Sequence, residues 1–384
     1  MNKNFLKLIK NIKKKFKQKK IYLHEPHILK DDITSVLAAL KSKEISSYGK
    51  YTSVFEKKLG KYLGEKKTLS LVNGTAALHI AYKVMGINHN HEVLAPSMTY
   101  ISTINAIKYC NSEPHFYEIE QSTLSVDLKK LEAYLKKKTI IKNKKCINKK
   151  TQKHIKAFVL VHINGLCCEI DKLLVLLNRY KIVLIEDAAE AIGSSYKNKK
   201  LGTFGEVGIL SFNGNKIIST GGGGAIIFKK QIHYKKALHY ISNCKKKHPF
   251  EFAHDDVGYN YRMPSLNAAL GISQLKKLQH FVSKKKLIYL YYKSIFKNNQ
   301  YKLLEPINKL SSNYWLPTIT ATNKKINLTR LIKSAHTQNF FLRSLWKPMH
   351  LLLPFKHCQK MSLRNTVRIY KSTVCLPGSV FLLK

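Results

Sequence analysis

The sequence predicts an α/β protein whose largest part is a mostly parallel sheet with helices on both faces. Short apolar runs alternate with longer helical stretches over about 200 residues, the signature of repeated strand–helix units. Glycine-bearing or charged turns follow those apolar runs, and sites on parallel sheets gather at the carboxyl ends of strands. The chain has 384 residues, 44% of them hydrophobic, enough to wrap such a sheet in real cores.

The elements follow in order. In MNKNFLKLIKNIKKKFKQKK, Phe5, Leu6, Ile9, Ile12 and Phe16 recur at helical spacing among lysines. A basic amphipathic helix making weak contact with an anionic membrane surface is one reading; a frayed basic extension over residues 1–20 is the preferred one. Ile33, Val36, Leu37 and Leu40 share one face of a helix over 31–45, with Asp31 or Asp32 placed to cap it. A second helix over 52–64 closes at Gly64. TLSLV, HEVLAPS, PHFYEIE, HIKAFVLVHIN, YKIVLIEDA and VGILSF predict strands, and NGTAALHIAYKVMG predicts the helix after the first of them. Residues 129–156 begin as a helix and turn into a basic, exposed excursion. A long helix over 262–296 leads into a smaller α+β part, with strands at 313–321 and in FFLRSLWKP and a helix at 326–339. The chain therefore divides into 1–20, a large domain over 21–273 and a small C-terminal domain over 274–384.

A formal charge of +46 suggests anionic partners, nucleic acid or a membrane surface among them. Only six of the 68 basic residues are arginines, the residue that reads base edges and phosphates in bidentate fashion, and the lysines are spread along the whole chain. That pattern favours solubility over specific nucleic-acid recognition. Seven cysteines in no regular framework point to a reducing, cytoplasmic setting. No stretch is long and apolar enough for a transmembrane helix, and no metal-ligand spacing is present.

Four segments, each placed after a strand or before a helix, supply parts of one site. Asn73-Gly74-Thr75 opens a helix, where backbone N–H groups and a hydroxyl suit a phosphate. IEDAAEAIGS sets Glu186 and Asp187 at the end of an apolar strand, a costly place for a carboxylate that lacks a cationic partner. SFNGNKIISTGGGGAI carries Ser211 and Asn213, which can bond a phosphate, then Lys216, which can form a Schiff base, then four glycines that let the chain turn sharply. GYNYRMPSLNAALG holds Asn260 and Arg262 in an aromatic turn. A phosphate cradle, a buried aspartate and a lysine, in that chain order, are what a pyridoxal phosphate enzyme requires.

On EDAAEAIGS, SFNGNK and GYNYRMP, with further likeness from IYLHEP to STVCLPGS, the sequence resembles the DegT/DnrJ/StrS-type sugar aminotransferases and, within them, the LegC-like group. The resemblance implies the fold type I architecture of aspartate aminotransferase, a three-layer α/β/α large domain plus a small C-terminal domain. It implies pyridoxal 5'-phosphate bound to Lys216, with Asp187 on the pyridinium nitrogen, Gly74, Thr75, Ser211 and Asn213 around the phosphate, Tyr100 on the ring face and Glu190 near the phenolic oxygen. Asn260 would reach the cofactor phosphate of a neighbouring subunit in a homodimer, and His162, Arg262, Trp315, Arg343 and His350 would lie near substrate. The implied reaction moves an amino group, from L-glutamate, to the C4 ketone of a nucleotide-linked, UDP-linked 4-keto-6-deoxy-N-acetylhexosamine for surface polysaccharide or nonulosonic acid synthesis. Related dehydratases replace the lysine with histidine; this chain keeps Lys216. The competing reading is a degraded aminotransferase scaffold that uses its charge to bind nucleic acid or a membrane surface.

Overall fold

The computed structural model describes residues 3–65, 67–296, 300–323 and 326–383. Helices α1 (Lys3–Phe16), α2 (Lys30–Lys41) and α3 (Lys50–Leu63) precede strand β1 (Thr68–Leu71). Then come α4 (Gly74–Val84), β2 (His91–Pro96), α5 (Ile101–Tyr109), β3 (Glu113–Tyr117), α6 (Leu128–Lys138), the hairpin β4 (Thr139–Lys142) and β5 (Lys145–Asn148), β6 (His154–Val161), α7 (Ile170–Arg179) and β7 (Val183–Asp187). Short strands β8 (Ser195–Tyr196) and β9 (Lys199–Lys200) lead to β10 (Val207–Ser211), β11 (Gly224–Phe228) and α8 (Gln231–Ile241). The 31-residue α9 (Ser265–Ile295) crosses into the C-terminal part. There β12 (Tyr301–Leu303), β13 (Leu310–Ser311), β14 (Thr318–Ala321), α10 (Leu328–His336), β15 (Arg343–Ser344), α11 (Arg364–Ser372) and β16 (Thr373–Cys375) complete the fold.

The main sheet runs β1-β11-β10-β7-β6-β2-β3. Strand β11 is antiparallel to both β1 and β10, and every other neighbouring pair on this path is parallel. The ends of β1, β2, β6, β7 and β10 and the start of β11 therefore lie along one edge. The α/β prediction holds, and the smaller part is α+β, with the antiparallel sheet β12-β14-β16-β15 beside α10 and α11. The expected 273/274 boundary falls inside α9. Leu278 and Phe281 of that helix belong to the first core, and Ile288, Tyr289 and Tyr292 belong to the second.

Four expectations need correction. Residues 3–16 form a helix instead of fraying, because Phe5, Ile9, Ile12 and Phe16 are buried against Tyr292, Phe296 and Tyr301 of the second core. That apolar face is covered by the chain itself and is not free for a membrane surface. The segment 129–156 is an ordered hairpin on the sheet: β5 bridges to β6 at Ile147 and His154, and Asn148 and Thr151 both donate to the buried Glu92. The expected exposure holds for most of it: Ile140, Ile141 and the lysines at 142, 144, 145, 149 and 150 are exposed, while Thr139, Cys146 and Asn148 are buried.

Helix α2 turns much of its predicted core face outward, leaving Ile33 55%, Leu37 48% and Leu40 47% exposed. Buried Asp32 sets that rotation, accepting from Gln274 and Lys277 on α9 while capping the Leu29 N–H. Finally, the four glycines do not make one turn. Gly221 alone among them takes a left-handed conformation, φ +80, and Gly224 already begins β11.

Candidate functional site

Each functional segment leaves the sheet at the edge defined above. At the end of β7 the Asp187 carboxyl is buried and accepts from the Thr103 hydroxyl at 2.7 Å and the Ala189 N–H at 3.2 Å. Burial raises its pKa above the usual value, against the pull of those two bonds and the field of Lys216. Thr103 itself bonds Thr99, so the loop after β2 supports the aspartate from the side.

Its neighbour Glu186 points the other way, into the protein. It accepts from the N–H groups of Gly202, Phe204 and Gly205 and contacts His162 Nε2 at 2.9 Å. Burial alone would raise its pKa, but the contact with His162 and the backbone donors overcome that and hold it lowered.

Lys216 lies five residues beyond the end of β10. Its Nζ stands 3.2 Å from Glu190 Oε1 and 4.3 Å from the ring centroid of Trp315. The indole N–H donates to the carbonyl of Asn215 at 3.0 Å, which fixes the ring over the amine. Glu190 is buried, accepts from the Asn164 N–H at 3.0 Å, and has its pKa raised by burial despite the opposing charge of Lys216.

Below this group, α4 begins at Gly74 against Ser211. A Cβ on Gly74 would meet Ser211 Cβ at 3.2 Å, and one on Gly224 would meet the carbonyl carbon of Asn73 at 2.5 Å. The two glycines let strand and helix start approach closely, leaving a small cradle at a helix N-terminus. Thr75 bonds Ser102 at the start of α5, and the carbonyl of Asn213 accepts the N–H of Lys216, closing the turn that carries the lysine.

The structure thus brings together Lys216, Glu190, Trp315, Asp187, Gly74, Thr75, Ser211 and Asn213. Tyr100 stands just before α5 and is 58% exposed. His350 contacts Ser97 Oγ at 2.6 Å in the loop after β2. Others stand apart. His162 is fully buried behind Asp187 on Glu186; Arg262 lies over the Tyr48 ring beyond β1; Arg343 is exposed on β15; Asn260 is exposed, bridged to Ser242. Sequence reasoning did not single out Thr103, Asn164 or Asn313. Asn313 donates to the carbonyls of Glu190 and Ile192, and Thr103 donates to Asp187, contacts across 123, 121 and 84 residues that no local pattern signals.

The model of the DegT/DnrJ/EryC1/StrS aminotransferase family matches residues 26–382. The chain belongs to this family. It is 33% identical to the GDP-perosamine synthase of Vibrio cholerae over 88% of each chain. It is 32% identical to the UDP-4-amino-4,6-dideoxy-N-acetyl-beta-L-altrosamine transaminase of Campylobacter jejuni, over 93% of this chain and 91% of the relative. The solved structure of Helicobacter pylori PseC, an aminotransferase involved in pseudoaminic acid biosynthesis, superposes with a TM-score of 0.84 at 27% identity over 94% of each chain. As a family member the protein is a pyridoxal phosphate-dependent sugar aminotransferase of fold type I.

The residues present fit that cofactor. Asp187 is a buried carboxyl that, among the described residues, has no cation in hydrogen-bond contact, suited to a protonated ring nitrogen; the start of α4 at Gly74 beside Ser211 offers backbone N–H groups and hydroxyls to a phosphate; the amine of Lys216 is held between a carboxylate and an indole.

Proposed function

We propose that the protein transfers an amino group from L-glutamate to the C4 ketone of a nucleotide-linked 4-keto-6-deoxy-N-acetylhexosamine, carried on UDP, in a route to surface polysaccharide or nonulosonic acid, as in the LegC-like group. The observation that carries this reading is the Lys216 amine clasped by Glu190 and Trp315, one strand away from buried Asp187. The C4 position and the UDP carrier are supported by the name of the Campylobacter jejuni relative. A GDP-linked sugar is the second reading, favoured by the similarity to the Vibrio cholerae enzyme.

When bound, pyridoxal phosphate supplies a carbonyl that condenses with an amine and a ring that withdraws electrons from the adjacent carbon. The chain's residues do the rest. Asp187 would place its carboxylate against the ring nitrogen, and Gly74, Thr75, Ser211 and Asn213 would bind the phosphate. Lys216 Nζ accepts and returns the mobile proton, and Glu190 at 3.2 Å steadies it while it is an ammonium. Trp315 covers the amine, and Tyr100, exposed at the start of α5, would lie against the ring face.

The working unit is a homodimer with shared sites. In support, Phe250 is 93%, Phe252 85% and Val257 71% exposed on the loop that leads to Asn260, apolar surface that a second subunit would take out of water. Residence in the reducing cytoplasm is supported by seven free cysteines, and among the described residues no helix is long and apolar enough to cross a membrane.

The test is an assay of the purified protein with glutamate and a panel of UDP-, GDP- and dTDP-linked 4-keto sugars, beside the near-visible absorbance of lysine-bound cofactor. Turnover with a UDP-linked N-acetylated sugar is expected, and Lys216→Ala and Lys216→Arg should each abolish it. Turnover confined to a GDP-linked sugar would select the second reading. Near-normal turnover by Lys216→Ala, or a wild-type protein that binds no cofactor and instead binds duplex DNA with steep salt dependence, would overturn both.

A further inference from the structure

Helix α9 places a lysine, Lys285, where it has no exposed surface. It lies between Phe281, the last residue of that helix in the first core, and Ile288, the first in the second. Among the described residues no carboxylate comes within ion-pair distance of its amine. Its Nζ contacts instead the carbonyl of Gly378 at 2.5 Å, the carbonyl of Trp315 at 3.0 Å and His24 Nε2 at 2.8 Å. An amine has three positions to fill, and here all three are filled.

A methionine would occupy the same volume without desolvating a charge, so packing alone does not account for a lysine. The three partners do. His24 belongs to the segment after α1, Gly378 to the segment after β16, and Trp315 to the loop before β14. Gly378 is tied in turn to Leu23 by its own N–H, so Lys285 gathers three distant segments at one point. One of them carries the indole that covers Lys216. The Trp315 ring also lies 6.2 Å from the His24 ring, and its N–H reaches the carbonyl of Asn215, the residue before Lys216. From Lys285 to the reactive amine there are thus two short routes, through the Trp315 backbone and through His24.

We propose that Lys285 is a positioning residue of the aminotransferase site, holding Trp315, directly and with His24, against the amine of Lys216. It rests on the function proposed above and touches neither cofactor nor sugar. Burial holds the Lys285 amine well below its ordinary pKa, and His24 is lowered by burial and by the charges of Lys285 and Lys216; both fit a role of holding hydrogen bonds instead of carrying a solvated charge.

The chain has two tryptophans, so Trp346→Phe leaves Trp315 as the only indole. In that background, without cofactor, Lys285→Met should raise the acrylamide quenching of Trp315 fluorescence about twofold, as expected when a buried ring gains solvent access. Unchanged quenching in a folded variant overturns the proposal, whatever the sugar assays show. If Lys285→Met does not fold, Lys285→Gln, which keeps two N–H donors on a shorter arm, is read in the same way.

A double-mutant cycle then links position to turnover. Lys285→Met should lower kcat about tenfold beside native Trp315 and have little effect beside Trp315→Phe, with KM for the sugar unchanged, the signature of two residues acting through each other. Equal losses in both backgrounds would show a merely structural role and also overturn the proposal. A wild-type protein that neither binds cofactor nor turns over any sugar would sink the proposed function instead, while the fluorescence result still decides whether Lys285 holds Trp315.

Discussion

Glu186 and Asp187 stand side by side at the end of β7, yet burial has opposite consequences for them because their partners differ. Glu186 has three N–H donors and a histidine, and its pKa is lowered from the usual 4.5; Asp187 has one hydroxyl and one N–H, and its pKa is raised from 3.8. The signs for stability follow. The contribution of Glu186 is present above pH 4.5 and is lost as pH falls through its lower folded value. For Asp187 the help from protonation is present at low pH and lost as pH rises through its raised folded value, a penalty that a cationic ring nitrogen would relieve. Glu186→Gln should therefore destabilise the protein by about 3 kcal/mol at neutral pH, since it breaks a buried hydrogen-bonded network. It should also flatten the acid limb of the stability curve, as measured by urea unfolding across the acid range. Equal losses at every pH would contradict the assignment. Lys216 and Asp187 were legible in the sequence because each follows an apolar strand at short range. Thr103 and Lys285 were not, because their partners lie 84 and up to 261 residues away, and no local pattern records such a contact.

At the scale of elements, periodicity showed which residues share a face but not what covers it. Phe5, Ile9, Ile12 and Phe16 were visible as an amphipathic set, and that spacing fits a membrane surface as well as it fits the second core. Only the tertiary partner decides, and here it makes α1 part of the small domain. Ile9→Ala, at a site with no exposed surface, should cost about 2–4 kcal/mol of that domain's stability by leaving a cavity, seen as a lower urea midpoint. Helix α2 shows the converse, an apolar face read as core that is turned outward by Asp32. Strand β11 escaped because its glycine start reads as a turn. That glycine is a packing requirement, since a Cβ on Gly224 would stand 2.7 Å from the Gly74 nitrogen. Gly224→Ala must push the start of α4 off Ser211. A cofactor dissociation constant raised about tenfold or more is expected, with the far-ultraviolet circular dichroism unchanged.

At the scale of the molecule, the outward face of α2 and Phe250 and Phe252 of the 250–257 loop are exposed apolar surface, available to the second subunit of the homodimer proposed above. Asn260 is exposed, bridged to Ser242 and turned to no residue around Lys216 by any described hydrogen bond. The role proposed for Asn260 on the cofactor is therefore one across an interface. That makes a decisive mixing experiment possible. Lys216→Ala removes the amine and Asn260→Ala removes the donor that would cross from the other subunit, so each variant alone should be strongly impaired at both of its sites. A mixed dimer of the two places both defects in one site and neither in the other. After co-refolding in equal amounts, half of the dimers should be mixed and about a quarter of all sites intact, so activity should recover to about a quarter of the native level. If each site is built from a single chain, mixing can give no more than the average of the parents. A mixture that stays at that average, while sedimentation shows dimers, would remove Asn260 from the shared site; a mixture that stays monomeric would remove the shared site itself.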